Sequence, residues 1–154
     1  MPLFHCTHRE LNEGDIIEPG NWGRIILETG ETHPCWHREQ TLESIRRSHY
    51  PQKPSRLESA FVCEHLNTIK CYKAKHCANG HIYEVELVNS ESLQHKGDFN
   101  AVEPMPRHNA NMYEIAHLYW QYRLKTNVQE WPNVECSEIV TSSPLKIIRR
   151  LSEN

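Results

Sequence analysis

Strand-like runs stand near both ends of this chain and in its middle, stretches with helical spacing lie between them, and there is no internal repeat. Strands distributed in this way around helices imply a split α+β domain. At the start, Leu3-Phe4-His5-Cys6 has strand character, and the turn-forming Asn12-Glu13-Gly14-Asp15 and Glu18-Pro19-Gly20 follow it. The clearest strand is His81 to Leu87, where Tyr83, Val85 and Leu87 alternate with Ile82, Glu84 and Glu86, so that one face is polar or edge-like. Near the end, Ser137–Val140 and Leu145–Leu151 flank Thr141-Ser142-Ser143-Pro144 as two further strands.

Between these landmarks the first forty residues suggest strand, turns and loop, with Ile25-Ile26-Leu27 a second short apolar run. Thr41 is placed to cap a helix running through Arg46-Arg47, with Leu42 and Ile45 on one face, and Tyr50-Pro51 ends it. Pro51 to Pro54 is a connecting loop, Ser59–Cys63 a strand, and Leu66–Lys75 a helix with Leu66 and Ile69 inward, closed by Asn79-Gly80. Asn89 to Asn109 is a long polar loop, a candidate substrate segment. Asn111 and Glu114 resemble a capping box ahead of the strongest helical stripe, Met112, Ile115, Ala116, Tyr119 and Trp120, whose rings are expected in the core.

At 154 residues the chain suits a single domain, 1–154. With 38% hydrophobic and 24% charged residues it is polar, yet too rich in Trp, Tyr and Ile for disorder. No apolar run approaches the roughly 18 residues of a membrane helix, and the start Met1-Pro2-Leu3-Phe4-His5 lacks the blocks of a signal peptide, so a cytoplasmic protein with no membrane partner is expected. The net charge of -3 gives no bulk attraction for nucleic acid, which leaves that role to a local patch. Six cysteines then read as free thiols. Together with eleven histidines they raise zinc as a question, at Cys35-x-His37, Cys63-x-His65, and Cys71 with His76-Cys77 and His81, although paired C-x2-C or H-x3-H knuckles are absent and no metal ligand is assigned.

The chain lacks G-x-x-x-x-G-K-[ST], G-x-G-x-x-G and G-x-S-x-G, which removes P-loop, Rossmann and nucleophile-elbow chemistry. His5-Cys6-Thr7 matches the H-x-[ST] element of two-histidine phosphoesterases, but no second copy follows, and the zinc-deaminase pair H-x-E with P-C-x-x-C is missing. A His on the first strand, Arg56 before a middle strand and Glu138 opening a late strand remain.

Leu3-Phe4-His5-Cys6-Thr7-His8, Leu11, Gly14-Asp15 and Glu18-Pro19-Gly20 resemble the opening of the small bacterial ADP-ribosyltransferases, the rifamycin-modifying enzymes in particular. Ser59-Ala60-Phe61-Val62 with Leu66, and Tyr83-Glu84-Val85, are similar to their next core strands. Cys136-Ser137-Glu138-Ile139-Val140, with Pro144 and Ile147, resembles the catalytic-Glu strand of the DNA-modifying ADP-ribosyltransferase toxins. Arg56, Ser59, Phe61, Tyr83, Val85, Tyr119, Trp120 and Glu138 together look like an uncharacterised bacterial family of that superfold.

The resemblance implies a mono-ADP-ribosyltransferase with NAD+ as cosubstrate. Cleaving the nicotinamide–ribose bond makes an oxocarbenium-like ribose that a carboxylate stabilises. Glu138 is the first candidate for that carboxylate, Asp98 the competitor because the rifamycin enzymes use an Asp, and Glu114 a third whose capping role already accounts for it. His5 and Thr7 would hold the adenosine-side ribose, and Arg56 the pyrophosphate. Phe61 stands where the rifamycin enzymes carry Tyr, so Tyr83 or Tyr72 is the candidate for a missing ring.

The implied acceptor is a macromolecule, nucleic acid ahead of protein, as in a toxin or phage-conflict enzyme with an antitoxin partner. Two basic stretches suit phosphate contacts: Arg46, Arg47, Lys53 and Arg56, and Lys70, Lys73 and Lys75. Two alternatives stand beside this: ADP-ribosylation of a small molecule, and a non-enzymatic Cys/His-rich binding module stabilised by zinc.

Overall fold

The computed structural model describes residues 2–103 and 111–152. It is a mixed α+β fold of two antiparallel sheets and four helices. β1 (Leu3–Thr7), β4 (His81–Leu87), β7 (Leu145–Arg150) and β2 (Ile16–Ile17) form one sheet in the order β1-β4-β7-β2. β3 (Ala60–Val62), β6 (Ser137–Thr141) and β5 (Gln94–Asp98) form the other, in the order β3-β6-β5. The sheets meet where Phe4 and Cys63 exchange backbone hydrogen bonds of 2.9 and 2.8 Å.

Both terminal strands and the middle ones fall where the apolar patterning places them. β4 lies between β1 and β7, with Tyr83 and Val85 in the core against Ala60, Val62, Leu145 and Ile147; its other face is polar at the half-buried Glu84 and the exposed Glu86, but Ile82 on that face is buried with Phe4 and Ile69. Only the start of that second face is covered, by α3 through Ile69, which is why Ile82 alone breaks the alternation.

The helices depart further from expectation. Residues expected as turns and loop form α1 (Asn21–Thr29), and α2 spans Trp36–His49, so Thr41 lies inside it and donates its hydroxyl to the His37 carbonyl at 2.8 Å instead of capping. The buried side of α2 carries Arg38, Glu39 and Glu43 beside Leu42 and Ile45, which is why apolar spacing did not reveal its first turns. In α3 (Leu66–His76), Thr68, Ile69 and Cys71 turn inward while Leu66 is exposed. α4 (Met112–Gln121) packs Ala116, Tyr119 and Trp120 against Leu42 and Ile45 of α2, and the Trp120 indole donates to the Leu42 carbonyl at 2.9 Å. Asn111 makes no side-chain cap there. The expected loop from Asn89 to Asn109 contains β5, and its residues 104–110 lie outside the described ones.

Two glycines set distances that matter for the site. A Cβ on Gly23 of α1 would sit 1.8 Å from the Leu57 carbonyl oxygen, so α1 rests directly on the short 3-10 turn Arg56–Glu58. A Cβ on Gly97 of β5 would sit 2.4 Å from the Tyr119 ring. Among the described residues no helix is long and apolar enough to cross a membrane.

Candidate active site

Beside the junction of the sheets lies a cleft of about 330 Å³. β1 contributes His5 and Thr7, β3 contributes Phe61, β6 contributes Glu138, and Arg56 precedes β3. Trp22 and Arg38 come from the starts of α1 and α2, and Tyr72, His76 and Phe99 complete the opposite side. A recess of about 50 Å³ beside it is lined by His5, Phe61, Tyr72 and Glu138.

The floor is a buried ionic network. Arg56 donates from Nε to both Glu39 oxygens, at 3.2 and 3.0 Å, and from Nη2 to Glu39 Oε1 at 3.0 Å. Its Nη1 donates to the Tyr119 hydroxyl at 2.6 Å and to Glu138 Oε1. Tyr119 in turn donates its hydroxyl to Glu138 Oε1 at 2.9 Å. Oε1 thus takes both donors, while Oε2 accepts no hydrogen bond from the described residues. The guanidinium also lies over the rings of Phe61 and Tyr119, 4.9 and 5.3 Å from their centroids.

Burial alone would raise the Glu39 carboxyl, but the guanidiniums of Arg56 and Arg38 overcome it and hold the group at about 2. Burial works against the charge of Arg56 too, and the Glu39 carboxylate more than restores it, so the guanidinium is held well above its ordinary value. Burial pushes the Tyr119 phenol well up, which keeps it a hydroxyl donor at neutral pH.

His5 is partly buried and its Nδ1 lies 2.7 Å from the Phe61 carbonyl oxygen. A carbonyl only accepts, so Nδ1 carries the proton. Burial lowers the His5 pKa, which keeps the ring neutral at pH 7 and leaves Nε2 as an acceptor. The Thr7 hydroxyl accepts from the Arg9 amide at 3.2 Å, and Arg9 is exposed at the rim.

Five of the seven expected site residues therefore line one cleft: His5, Thr7, Arg56, Phe61 and Glu138. Arg56 differs from its expected role, since its donors are directed at Glu39, Glu138 and Tyr119. Tyr83 is fully buried away from the cleft, where its hydroxyl accepts from the Leu11 amide and donates to the Arg9 carbonyl, each at 2.9 Å. It pins the chain that leaves β1, and Tyr72 supplies the second ring of the cleft instead.

Asp98 is likewise outside. Its carboxylate accepts from the amides of Asn100 and Ala101, both at 2.8 Å, and from the amide of Thr126 at 2.5 Å, a knot that ties the end of β5 to the segment after α4. Burial raises its pKa against those hydrogen bonds. Glu114 is exposed on α4. The basic stretches are only partly available: Arg46 bonds Glu43 at 2.5 Å, Arg56 faces inward and Lys75 pairs with Glu103 at 3.0 Å, while Arg47 and Lys70 are exposed. Among the described residues no three His, Cys, Asp or Glu side chains form a group able to hold a metal, and Cys63, Cys71 and Cys77 are buried free thiols.

Glu39 went unrecognised in the sequence because Arg38-Glu39 in a polar segment has the signature of a solvated helix face. Tyr119 was visible only as part of a core stripe, and Trp22 only as part of a turn region.

A family model described as a protein of unknown function, DUF2441, matches residues 6–141. The chain belongs to the DUF2441 family. The matched span begins one residue after His5 and takes in Thr7, Glu39, Arg56, Phe61, Tyr119 and Glu138, so the DUF2441 region contains nearly the whole cleft. No curated protein matches the chain.

Proposed function

We propose that this DUF2441 protein is an NAD+-dependent mono-ADP-ribosyltransferase whose two sheets form the split core of that superfold. The observation that carries the reading is that His5 from one sheet and Glu138 from the other face a single cleft, the first with a free acceptor nitrogen and the second with a free carboxylate oxygen. In this reading Nε2 of His5 accepts from a hydroxyl of the adenosine-side ribose, and Thr7 adds a polar contact. Nicotinamide lies in the recess beside the Phe61 and Tyr72 rings, which orients its bond to ribose for cleavage.

Glu138 acts with Oε1 fixed by Arg56 and Tyr119 and Oε2 directed at the nicotinamide-side ribose. As that bond breaks, the electron pair leaves with neutral nicotinamide, positive charge develops on the ribose, and the carboxylate stabilises it. The acceptor nucleophile then bonds to the anomeric carbon and loses its proton. The exposed Arg9 at the rim, in place of the internally bonded Arg56, meets the pyrophosphate.

The acceptor is a macromolecule. The test is incubation of the purified protein and its Glu138→Gln variant with labelled NAD+ and a lysate, followed by nuclease or protease. Nicotinamide release and label in digestible material, with the intact protein only, is the expected result, and the sensitive fraction names the acceptor class. Absence of both release and label overturns the proposal.

A further inference from the structure

We infer that Glu39 is a positioning residue: by gripping one edge of the Arg56 guanidinium, it presents the other edge to Tyr119 and Glu138. The inference rests on the transferase reading, in which Glu138 is the carboxylate beside the ribose. Glu39 is fully buried and does not line the cleft, so it touches neither cosubstrate nor acceptor and acts through the two guanidiniums it bonds, Arg56 above all and Arg38.

The geometry follows from the shape of a guanidinium, which is planar, so fixing two nitrogens fixes the third. Glu39 takes Nε and Nη2 at 3.0 Å each, which leaves Nη1 directed at Glu138 Oε1 and the Tyr119 hydroxyl. Glu39 is itself held, because Arg38 Nη2 donates to its Oε1 at 2.8 Å while Arg38 Nη1 donates to the Val102 carbonyl at 3.1 Å. The chain of contacts runs from a backbone carbonyl through Arg38, Glu39 and Arg56 to the carboxylate in the cleft.

Stability is a poor reason for such an arrangement. Burying two guanidiniums and two carboxylates carries a desolvation penalty that their mutual attraction only partly returns, and apolar residues of similar volume commonly do as well. Orientation is the property that an apolar replacement does not supply. Without Glu39, Arg56 has Glu138 as its one remaining carboxylate partner among the described residues, and the guanidinium is drawn into a two-pronged grip on it that occupies Oε2, the oxygen assigned to ribose.

The experiment compares Glu39→Gln and Glu39→Asp with wild type, and adds the pair Arg38→Met with Glu39→Gln, which removes one cation and one anion together and protects the fold if the single variant fails. Nicotinamide release is expected to lose about 100-fold in kcat in the Gln variants, with KM for NAD+ within about threefold in Glu39→Gln alone, where the cleft lining is intact, and Glu39→Asp is expected to recover part of the rate. A kcat within about threefold of wild type in a folded Gln variant overturns the inference.

The NMR signal of the Arg56 Nε–H, recorded without NAD+, separates the two readings. A slowly exchanging signal in wild type and Glu138→Gln that is lost in Glu39→Gln is expected, and its persistence in Glu39→Gln overturns the inference. Wild type that releases no nicotinamide defeats the transferase reading instead, and the Arg56 signal still decides the role of Glu39.

Discussion

Gly97 of β5 stands opposite Glu138 of β6 in the sheet register, and the space its absent side chain leaves is occupied by the ring of Tyr119, whose hydroxyl bonds that same glutamate. The carboxylate is thus held across its own strand pair by a residue from α4. Gly97→Ala puts a Cβ 2.4 Å from the ring, and the neighbour that must give way is an aromatic fixed among Leu42, Ile45 and Trp120. Overpacking of this kind costs about 1–3 kcal/mol. Urea unfolding is expected to show that loss, with nicotinamide release reduced in the folded fraction because the phenol no longer reaches Glu138. Wild-type stability in Gly97→Ala counts against the packing argument.

The two carboxylates that competed in the sequence are separable by substitution. Asp98→Asn keeps the shape but removes the charge that three backbone amides share, so the expected loss is stability, about 1–3 kcal/mol. Turnover by the folded protein is expected to survive. Glu138→Gln is expected to show the opposite pattern, with stability nearly retained and nicotinamide release abolished. A reversed pattern on calorimetry and rate measurement would move the chemistry to Asp98.

His5 is expected to matter for binding more than for bond cleavage. His5→Ala removes an acceptor from the cleft and a donor from the Phe61 carbonyl. Calorimetric titration of NAD+ into Glu138→Gln, where cleavage is suppressed, is expected to give a Kd about tenfold weaker when His5→Ala is added, as the loss of one neutral hydrogen bond allows. An unchanged Kd makes His5 a structural residue of β1.

Acid sensitivity is written into His95. Burial holds this ring at about 4 while it donates to the Tyr119 carbonyl at 2.9 Å. The unfolded chain takes up a proton near 6.5 and the folded one does not until about 4, so stability falls as pH drops through that window and is fully present above it. Between pH 6.5 and 5 this histidine alone accounts for about 2 kcal/mol. Glu39 adds its own loss only below its unfolded value, as pH falls from 4.5 toward about 2. Urea denaturation at pH 7 and pH 5 is expected to show a smaller difference for His95→Gln than for wild type. Equal differences would remove His95 as the cause.

What the sequence made legible follows from where polar groups are satisfied. β1, β4 and β7 were readable because their inward side chains are largely apolar and alternate, β6 by its Ile139-Val140 pair, and the Tyr119-Trp120 stripe by its helical spacing. β5 reads Gln94-His95-Lys96-Gly97-Asp98 and looked like loop, because its buried residues are a histidine bonded to a carbonyl, a glycine under a ring and an aspartate bonded to amides. The first turns of α2 were hidden for a related reason, since their buried side chains are an arginine and a glutamate that answer each other and Arg56. Glu138 was singled out by resemblance rather than by pattern, and Glu39, which shares the Arg56 guanidinium with it, had neither. Pairing across the fold, which no local window contains, is what made these charges interior.

The network around Arg56 has a consequence for how the protein fails. Its members reach Glu39 over 17 residues, Tyr119 over 63 and Glu138 over 82. No hairpin or helix pair carries two of the long links at once, so the arrangement closes only when α2, the Arg56 turn, α4 and β6 have docked. A partly unfolded form keeps secondary structure without keeping the site. The network is therefore lost before the strands and helices are, because undocking α4 alone separates Tyr119 from Arg56 and Glu138.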